Sequence, residues 1–406
     1  MSSTQHWKKI KLKYLADMRS GESITSDVIN PIGLYPVYGG GALRGYTSEY
    51  THEGKYVLIG RQGAHCGNVK TVQGKFWASE HAVVVTPNSI VDIEWLGYLL
   101  ESMNLNQYSM SAAQPGLAVT MIKNLEVLCP TKNIQEKIAK YINTKVISIE
   151  ELIEQKEKLI QLFEEKRQSM ITEAVTKGLN PNVKMKDSGV EWIGEIPEHW
   201  EAKRLKNAVF LNPNKSEVNL NLNQKVTFLP MENILEPGKI DISLEKELCE
   251  VYSGYTYFRN EDIVMAKVTP CFENGNIATV DNLVNRIGFG TTELHVLRVR
   301  KGHFNKFYYY LAQSEPFKQE GVSTMYGVGG LKRIPTEFVS NYKFAVPPLE
   351  EQIEIANYLD FKCNQISNLK DVINIEIEKL KSYRQSLIYE AVTGKIDVRN
   401  FEVDAE

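Results

Sequence analysis

The chain has 406 residues, of which 43% are hydrophobic and 10% aromatic, so it is long enough for two or three domains with their own cores. Its 47 basic and 50 acidic residues give a net charge of −3, a balance that neither requires nor rules out a nucleic-acid partner. No run approaches about 18 apolar residues and the N-terminus lacks an apolar signal segment, so neither a membrane span nor secretion is expected.

The first variable segment, residues 1–130, is predicted to be an α/β domain. KYVLIG (55–60) and HAVVVTP (81–87) are typical of strands, and residues 91–104 have the spacing of a helix. Two glycine-rich corners carry Arg44 with Tyr46 and Arg61 with Gln62. Because glycine lets a backbone approach a phosphate, and Arg and Gln can pair with base edges, we predict that these side chains contact a nucleic acid. The alternative is that the glycines only make turns and the polar side chains are solvated.

The next segment, residues 131–178, is predicted to be one long helix that starts after a proline and stops at a glycine. At 1.5 Å per residue it would be about 60–66 Å long. In a heptad frame its apolar seam consists of Ile149, Leu152, Leu159, Phe163 and Met170. A linker, residues 179–198, follows.

The second variable segment, residues 199–347, is predicted to be a second α/β domain. Strands are expected at 225–231, 261–270, 275–280 and 293–299, and one helix at 306–321. Its glycine-flanked loops carry the remaining candidate contacts for a nucleic acid, which are Lys267, Thr269, Asn274, Asn276, Thr291, Thr292, Lys332 and Arg333.

A second long helix is predicted at 348–395, before a tail at 396–406, and it repeats the first helix. CPTKNIQEKIAKYI (129–142) returns as VPPLEEQIEIANYL (346–359), and KRQSMITEAVT (166–176) returns as YRQSLIYEAVT (383–393). The distance from Gln135 to Gln352 is 217 positions, as is that from Arg167 to Arg384. The same offset gives the second seam as Ile366, Leu369, Ile373, Leu380 and Leu387.

The repeat predicts an α+β protein in which two α/β domains are separated by two long antiparallel coiled-coil helices with pseudo-two-fold symmetry. HWKKIKLK (6–13) and HWEAKRLK (199–206) repeat more faintly at the front of each half. Matching scaffold parts beside unlike variable parts indicate a spacer that carries two different readers. In the alternative arrangement, each helix lies on its own domain and does not pair with the other.

Neither a catalytic nor a metal-binding constellation is found. The five cysteines form no CxxC pair, and the seven histidines form no HExxH or HxxxH cluster. There is no GxxxxGK[ST] loop, no GxGxxG and no GxSxG, and the Asn-Pro pairs lack the following Pro-aromatic pair that an adenine methyltransferase uses. We therefore predict no catalytic residues, no metal and no cofactor in this chain.

Three stretches resemble the DNA-specificity subunits of Type I restriction–modification systems: DSGVEWIGEIPEHWEAKRLK (187–206), VPPLEEQIEIANYLD (346–360) and RQSLIYEAVTGKIDV (384–398). PVYGGGALRGYT, FRNEDIVMAKVTPCFENGNIA and GTTELHVLR resemble target-recognition domains of that family. CPTKNIQEKI departs from the family's PPLEEQ pattern, so the first junction is expected to be less regular.

The resemblance implies a non-catalytic subunit that reads a bipartite, asymmetric sequence in double-stranded DNA, one half per domain. The paired helices would set the spacer and dock two modification subunits, and restriction subunits would complete the complex. S-adenosylmethionine, ATP and Mg²⁺ would belong to those partners, in a prokaryotic cytoplasm. Two further hypotheses remain open from the residues: a coiled-coil scaffold that binds proteins and not DNA, and an autonomous nuclease or methyltransferase.

Overall fold

The computed structural model describes residues 7–39, 42–109, 116–191, 193–235, 238–328, 330–399 and 401. The chain divides into two compact units, one of residues 1–157 with 373–406 and one of residues 158–372. Two long helices, α3 (Lys132–Lys177) and α8 (Leu349–Val392), contribute to both units. The fold is α+β, with one mixed α/β domain and a pair of helical segments in each unit.

The first unit is built on one six-stranded sheet and one separate strand pair. The sheet order is β2-β7-β5-β6-β3-β4, and β1 pairs with β8. The strands are β1 (Lys8–Lys11), β2 (Ala16–Ser20), β3 (Tyr35–Gly39), β4 (Ala42–Thr47), β5 (His52–Gly60), β6 (Val69–Ala78), β7 (Ala82–Pro87) and β8 (Glu126–Cys129). The two short helices are α1 (Ile93–Ser102) and α2 (Val119–Lys123).

Helix α1 forms where the periodicity predicts it, and its cap explains where it begins. The Asp92 side chain accepts a hydrogen bond from the Trp95 backbone N–H, which satisfies a donor that the helix leaves free. Trp95, Leu96, Leu99 and Leu100 then lie buried on one face against the strands. The core therefore sits between this helix and the sheet.

The second unit contains two four-stranded sheets, β12-β19-β16-β17 and β14-β13-β18-β15, and the pairs β9–β10 and β11–β20. Its strands are β9 (Met185–Asp187), β10 (Glu195–Pro197), β11 (Glu201–Arg204), β12 (Val209–Leu211), β13 (Lys225–Leu229), β14 (Glu245–Glu247), β15 (Thr256–Arg259), β16 (Ile263–Ala266), β17 (Ile277–Thr279), β18 (Ile287–Gly290), β19 (Leu294–Val299) and β20 (Lys343–Val346). The short helices are α4 (Leu248–Val251), α5 (Asn305–Gln313), α6 (Glu315–Ser323) and α7 (Thr336–Asn341).

The single helix predicted over 306–321 is wrong, because two helices, α5 and α6, occupy this stretch and meet at Ser314. Pro316 lies in the first turn of α6. A proline lacks the N–H that an uninterrupted helix needs and clashes with the carbonyl four residues earlier, so the helix must restart before it.

Within each unit a segment of α3 packs against a segment of α8. In the first unit, Ile142 and Val146 share a buried cluster with Leu387 and Ala391. The ion pairs Glu150–Arg384 (3.2 Å) and Lys156–Glu376 (2.6 Å) show that residue numbers rise on α3 as they fall on α8, so the segments are antiparallel.

The second unit contains the other pair of helical segments. Ile171 and Ala174 share its core with Ile355 and Leu359, and Lys370 pairs with Glu164 at 2.8 Å. Burial acts to raise the pKa of Glu164, but Lys370 and Arg167 more than offset this and lower it. The hypothesis that the helices do not pair is therefore wrong.

The predicted register of the seam is wrong at three of its ten residues. Leu152, Leu159 and Leu369 are exposed, whereas Ile149, Phe163, Met170, Ile366, Ile373, Leu380 and Leu387 are buried or half-buried. The less exposed positions are one residue later: Ile153, Ile160 and Lys370 are half-buried, and Ile377 on α8 is buried. Leu152–Ile153 and Leu159–Ile160 are apolar pairs, so the sequence fits either register, and only the packing selects one.

Candidate nucleic-acid interface

In the second unit, three loops meet at the ends of the neighbouring strands β16 and β19. The Lys267 N–H donates to the Glu293 carbonyl at 3.0 Å, and the Ile334 N–H donates to the Lys267 carbonyl at 2.8 Å. The Thr269 N–H also donates to the Lys332 carbonyl at 3.0 Å. The structure therefore brings together Lys267, Thr269, Thr291, Thr292, Lys332 and Arg333, which come from separate stretches of sequence. We call this meeting point the strand-end junction.

Three of the predicted contact residues use their side chains to hold these loops. The Thr269 hydroxyl donates to the Gly330 carbonyl at 2.7 Å and accepts from the Lys332 N–H at 3.0 Å. The Thr291 hydroxyl accepts from the Glu293 N–H at 3.2 Å, and the Asn276 amide donates to the Ile234 carbonyl at 2.7 Å. Asn274, Thr292 and Lys332 are exposed, and Lys267 is half-buried.

Arg333 forms a two-point ion pair that the sequence did not predict. Its Nε and Nη2 atoms each lie 2.8 Å from a carboxylate oxygen of Glu293. The Arg333 guanidinium lowers the pKa of the Glu293 carboxyl, because its hydrogen bonds and charge stabilise the ionised form. The sequence did not single out Glu293, because a carboxylate donates no hydrogen bond to DNA; its place between Thr292 and a strand was the available signal.

A buried histidine lies behind this junction. His295 is 1% exposed, its Nε2 lies 3.1 Å from the Ile334 carbonyl, and its Nδ1 lies 3.5 Å from the Asn212 amide nitrogen. A neutral ring protonated at Nε2 satisfies both contacts. Burial lowers the pKa of His295 to about 4, and the Lys267 charge adds to this.

The first unit contains the same junction with different side chains. The Arg61 N–H donates to the His81 carbonyl at 2.8 Å, and the Leu117 N–H donates to the Arg61 carbonyl at 2.9 Å. Gln62 bridges to Gly116 as Val268 bridges to Arg333. Arg61 therefore corresponds to Lys267, and His81 corresponds to Glu293.

Arg61 and Gln62 are also engaged by neighbours in the first unit. The Arg61 Nη1 lies 3.1 Å from the Ser20 hydroxyl, and the Gln62 Oε1 lies 2.9 Å from the His81 Nδ1. His81 is a second residue that the sequence did not single out. The sequence around His81 gave no signal, because its correspondence to Glu293 is seen only when the junctions of the two units are compared.

Arg44 and Tyr46 lie on β4, at the edge of the six-stranded sheet. Arg44 is exposed and Tyr46 is half-buried. A Cβ atom on Gly39 would lie 2.4 Å from the Arg44 Cδ and 2.9 Å from the Ser79 hydroxyl. Glycine at this position therefore lets the Arg44 stem lie close over β3, next to the loop that leads to His81.

No metal-binding group and no membrane-spanning helix accompany these junctions in the part of the chain that the structure describes. Its His, Cys, Asp and Glu side chains form no cluster of three or more that could hold a metal ion. None of its helices combines the length and the apolarity that crossing a bilayer requires.

The chain is similar to proteins of one family along most of its length. A family model described as the Type I restriction modification DNA specificity domain matches residues 4–162 and 197–379. The EcoprrI and EcoAI specificity subunits of Escherichia coli are 43% and 37% identical, over 32% and 52% of this chain. These matches span 34% and 35% of the two relatives, about a third of their length.

More distant relatives match over a larger share of the chain. The MjaVIII specificity subunit of Methanocaldococcus jannaschii is 27% identical over 85% of this chain and 80% of its own length. A solved structure of a type I R-M system covers 96% of this chain and 98% of its own, with a TM-score of 0.69 and 16% identity. At that identity the structural likeness supports the fold alone. Because the family model matches both halves of the sequence, this chain belongs to the Type I restriction–modification DNA specificity family.

Proposed function

We propose that this chain is the subunit that selects the DNA sequence in a Type I restriction–modification complex, with each unit reading one half of a bipartite target. The observation that carries the proposal is the strand-end junction, which recurs in both units with two matching backbone hydrogen bonds, one matching bridge and different side chains. A shared backbone with unlike polar side chains is what two readers of unlike sequences require. Family membership supports the same function.

The chemistry of the two junctions supports an asymmetric target. The first presents Arg61 and a Gln62–His81 pair, whereas the second presents Lys267 and a Glu293–Arg333 pair. Glutamine pairs best with adenine, arginine with guanine, and a carboxylate can accept a hydrogen bond from cytosine. The two halves of the target should therefore differ in base composition.

The paired segments of α3 and α8 would set the spacer between the half-sites and dock two modification subunits. Cations at seam positions, Lys156, Lys370 and Arg384, pair with carboxylates on the facing segment, which fixes the register of the helices. In this proposal the chain performs no chemical step. S-adenosylmethionine, ATP and Mg²⁺ act in the modification and restriction subunits, and the complex works on DNA in the prokaryotic cytoplasm.

The test is to express the chain together with its modification subunits and to sequence the methylated bases in the genome. We expect one bipartite, asymmetric motif that disappears when this chain is omitted. When both Arg61 and Arg333 are replaced with alanine, the motif should no longer be completely methylated. Methylation without a defined motif, or a motif that does not depend on this chain, would contradict the proposal.

The purified complex allows a second measurement. Binding to random duplexes, followed by fluorescence anisotropy at low and high salt, should weaken steeply as salt increases, because phosphate contacts release counterions. An affinity that does not change with salt concentration would indicate that the complex does not contact the phosphates of the DNA backbone.

A further inference from the structure

The Glu293–Arg333 pair holds a guanidinium in one fixed plane. Both hydrogen bonds are 2.8 Å long, and the two side chains are 26% and 40% exposed. A fork-to-fork pair defines the orientation of the guanidinium, which a single contact would not do. The pair therefore presents an ordered cationic group to the surface.

The backbone on each side of the pair is also held. The Glu293 N–H donates to the Thr291 hydroxyl at 3.2 Å, and its carbonyl accepts from Lys267 at 3.0 Å. The Arg333 N–H donates to the Tyr326 carbonyl at 2.8 Å, and the Tyr326 N–H donates back at 3.2 Å. The orientation of Arg333 is thus fixed by the fold before any ligand arrives.

Part of the Arg333 guanidinium stays available for a ligand. The pair uses one N–H on Nε and one on Nη2, out of the five that an arginine carries. Three N–H groups remain, and the two that point away from Nε, one on Nη1 and one on Nη2, form a second, end-on fork. This fork matches the O6 and N7 acceptors on the major-groove edge of guanine.

We propose that Glu293 is a specificity-determining positioning residue, which holds Arg333 so that it reads a guanine in the half-site of the second unit. This inference rests on the proposed function. The carboxylate also repels phosphate oxygens, so it prevents Arg333 from making contacts that carry no sequence information. Without Glu293, Arg333 is free to reach the DNA backbone.

The experiment uses the complete methylation complex with Glu293→Ala and Glu293→Gln. We expect the motif of Glu293→Ala to become degenerate at one position in one half, with discrimination there reduced about ten-fold or more. Affinity for unrelated duplexes should stay equal or rise. Glu293→Gln keeps one acceptor and should relax the same position less.

Two further variants make the test specific. Arg333→Ala should relax the same position, and the double variant should be no worse than either single one, because the two residues act as a unit. The matched control is Glu245→Gln, which removes an exposed carboxylate paired with Lys225 at 3.2 Å in the same unit. This control should leave the motif unchanged.

The outcomes separate this inference from the proposed function. A wild-type complex that methylates no defined sequence would overturn both. A defined wild-type motif that Glu293→Ala and Glu293→Gln leave intact would overturn the inference alone. The inference would also fail if both variants methylate nothing. Variants that still melt at the wild-type temperature would show that DNA binding requires Glu293. Variants that melt well below it would show that the role of Glu293 is structural.

Discussion

Gln135 and Gln352 make the same pair of hydrogen bonds, each in its own unit. The Gln135 Oε1 accepts from the Asp92 N–H at 2.8 Å, and its Nε2 donates to the Pro130 carbonyl at 2.9 Å. Gln352 does the same with Phe304 and Pro347, at 2.9 Å each. Each buried glutamine therefore fastens the start of a long helix to the segment that begins a short one, α1 or α5.

This relationship predicts that Gln352→Ala lowers the free energy of unfolding by about 1–3 kcal/mol, because a buried N–H and a buried carbonyl lose their partner. Urea denaturation measures the change. Gln161→Ala is the control, since Gln161 is exposed and its amide donates to Glu165 one turn away, and it should change stability by about 0.5 kcal/mol or less. Equal effects of the two substitutions would show that the buried hydrogen bonds contribute little.

The corrected seam predicts unequal effects for two isoleucines on α8. Ile377 is 5% exposed at a seam position, whereas Ile375 is 56% exposed. Ile377→Ala should lower the free energy of unfolding by about 2–5 kcal/mol, because it removes buried apolar surface and leaves a cavity. Ile375→Ala should change the free energy of unfolding by about 0.5 kcal/mol or less. Thermal or urea unfolding decides the matter, and a larger loss for Ile375→Ala would refute the register.

Buried His295 predicts that the second unit loses stability in mild acid. Its pKa is lowered to about 4 in the fold, whereas an unfolded histidine has a pKa of about 6.5. Between these values the unfolded chain binds a proton that the folded chain does not, so stability falls as the pH drops through this window. From pH 7 to pH 5 the loss from this residue should be about 2 kcal/mol.

The comparison of wild type with His295→Gln isolates this residue, because carboxylates contribute equally to both proteins. The wild type should lose about 2 kcal/mol more than the variant between pH 7 and pH 5 in urea denaturation. Parallel curves for the two proteins would mean that His295 is not the group responsible.

The correspondence between Arg61 and Lys267 predicts that single substitutions act on one half-site each. Arg61→Ala should weaken binding to the motif by about 1–3 kcal/mol and relax one half, while Arg333→Ala should do the same for the other half. Anisotropy against duplexes mutated in one half or the other measures this. A uniform loss on all duplexes would mean that the side chain contacts phosphate.

Removing one heptad from each long helix should shorten the spacer and leave both half-sites unchanged. Deleting residues 153–159 and 374–380 keeps the seam in phase, because seven residues return to the same face. The deletion removes about 10 Å of helix, which corresponds to about three base pairs. Sequencing of the methylated motif gives the spacer directly, and an unaltered spacer would refute the role of the helices in setting it.

The repeat was visible in the sequence, but its full extent was not. The offset of 217 positions also relates Gly116 to Arg333 and Leu117 to Ile334, which occupy equivalent places beside Arg61 and Lys267. These residues lie upstream of Pro130 and Pro347, where the sequence similarity between the two copies begins. Backbone hydrogen bonds preserve the correspondence there, because they depend on position and not on the identity of the side chain.

The sequence by itself determined the two-fold repeat, the two long helices, the main strands and the family, because these follow from periodicity and from local motifs. Tertiary structure decided the rest. Packing selected Ile153 over Leu152 for the seam, since a heptad pattern with adjacent apolar residues fits two registers. Folding also placed Glu293 within 2.8 Å of Arg333, 40 positions away, a pairing that no local pattern encodes.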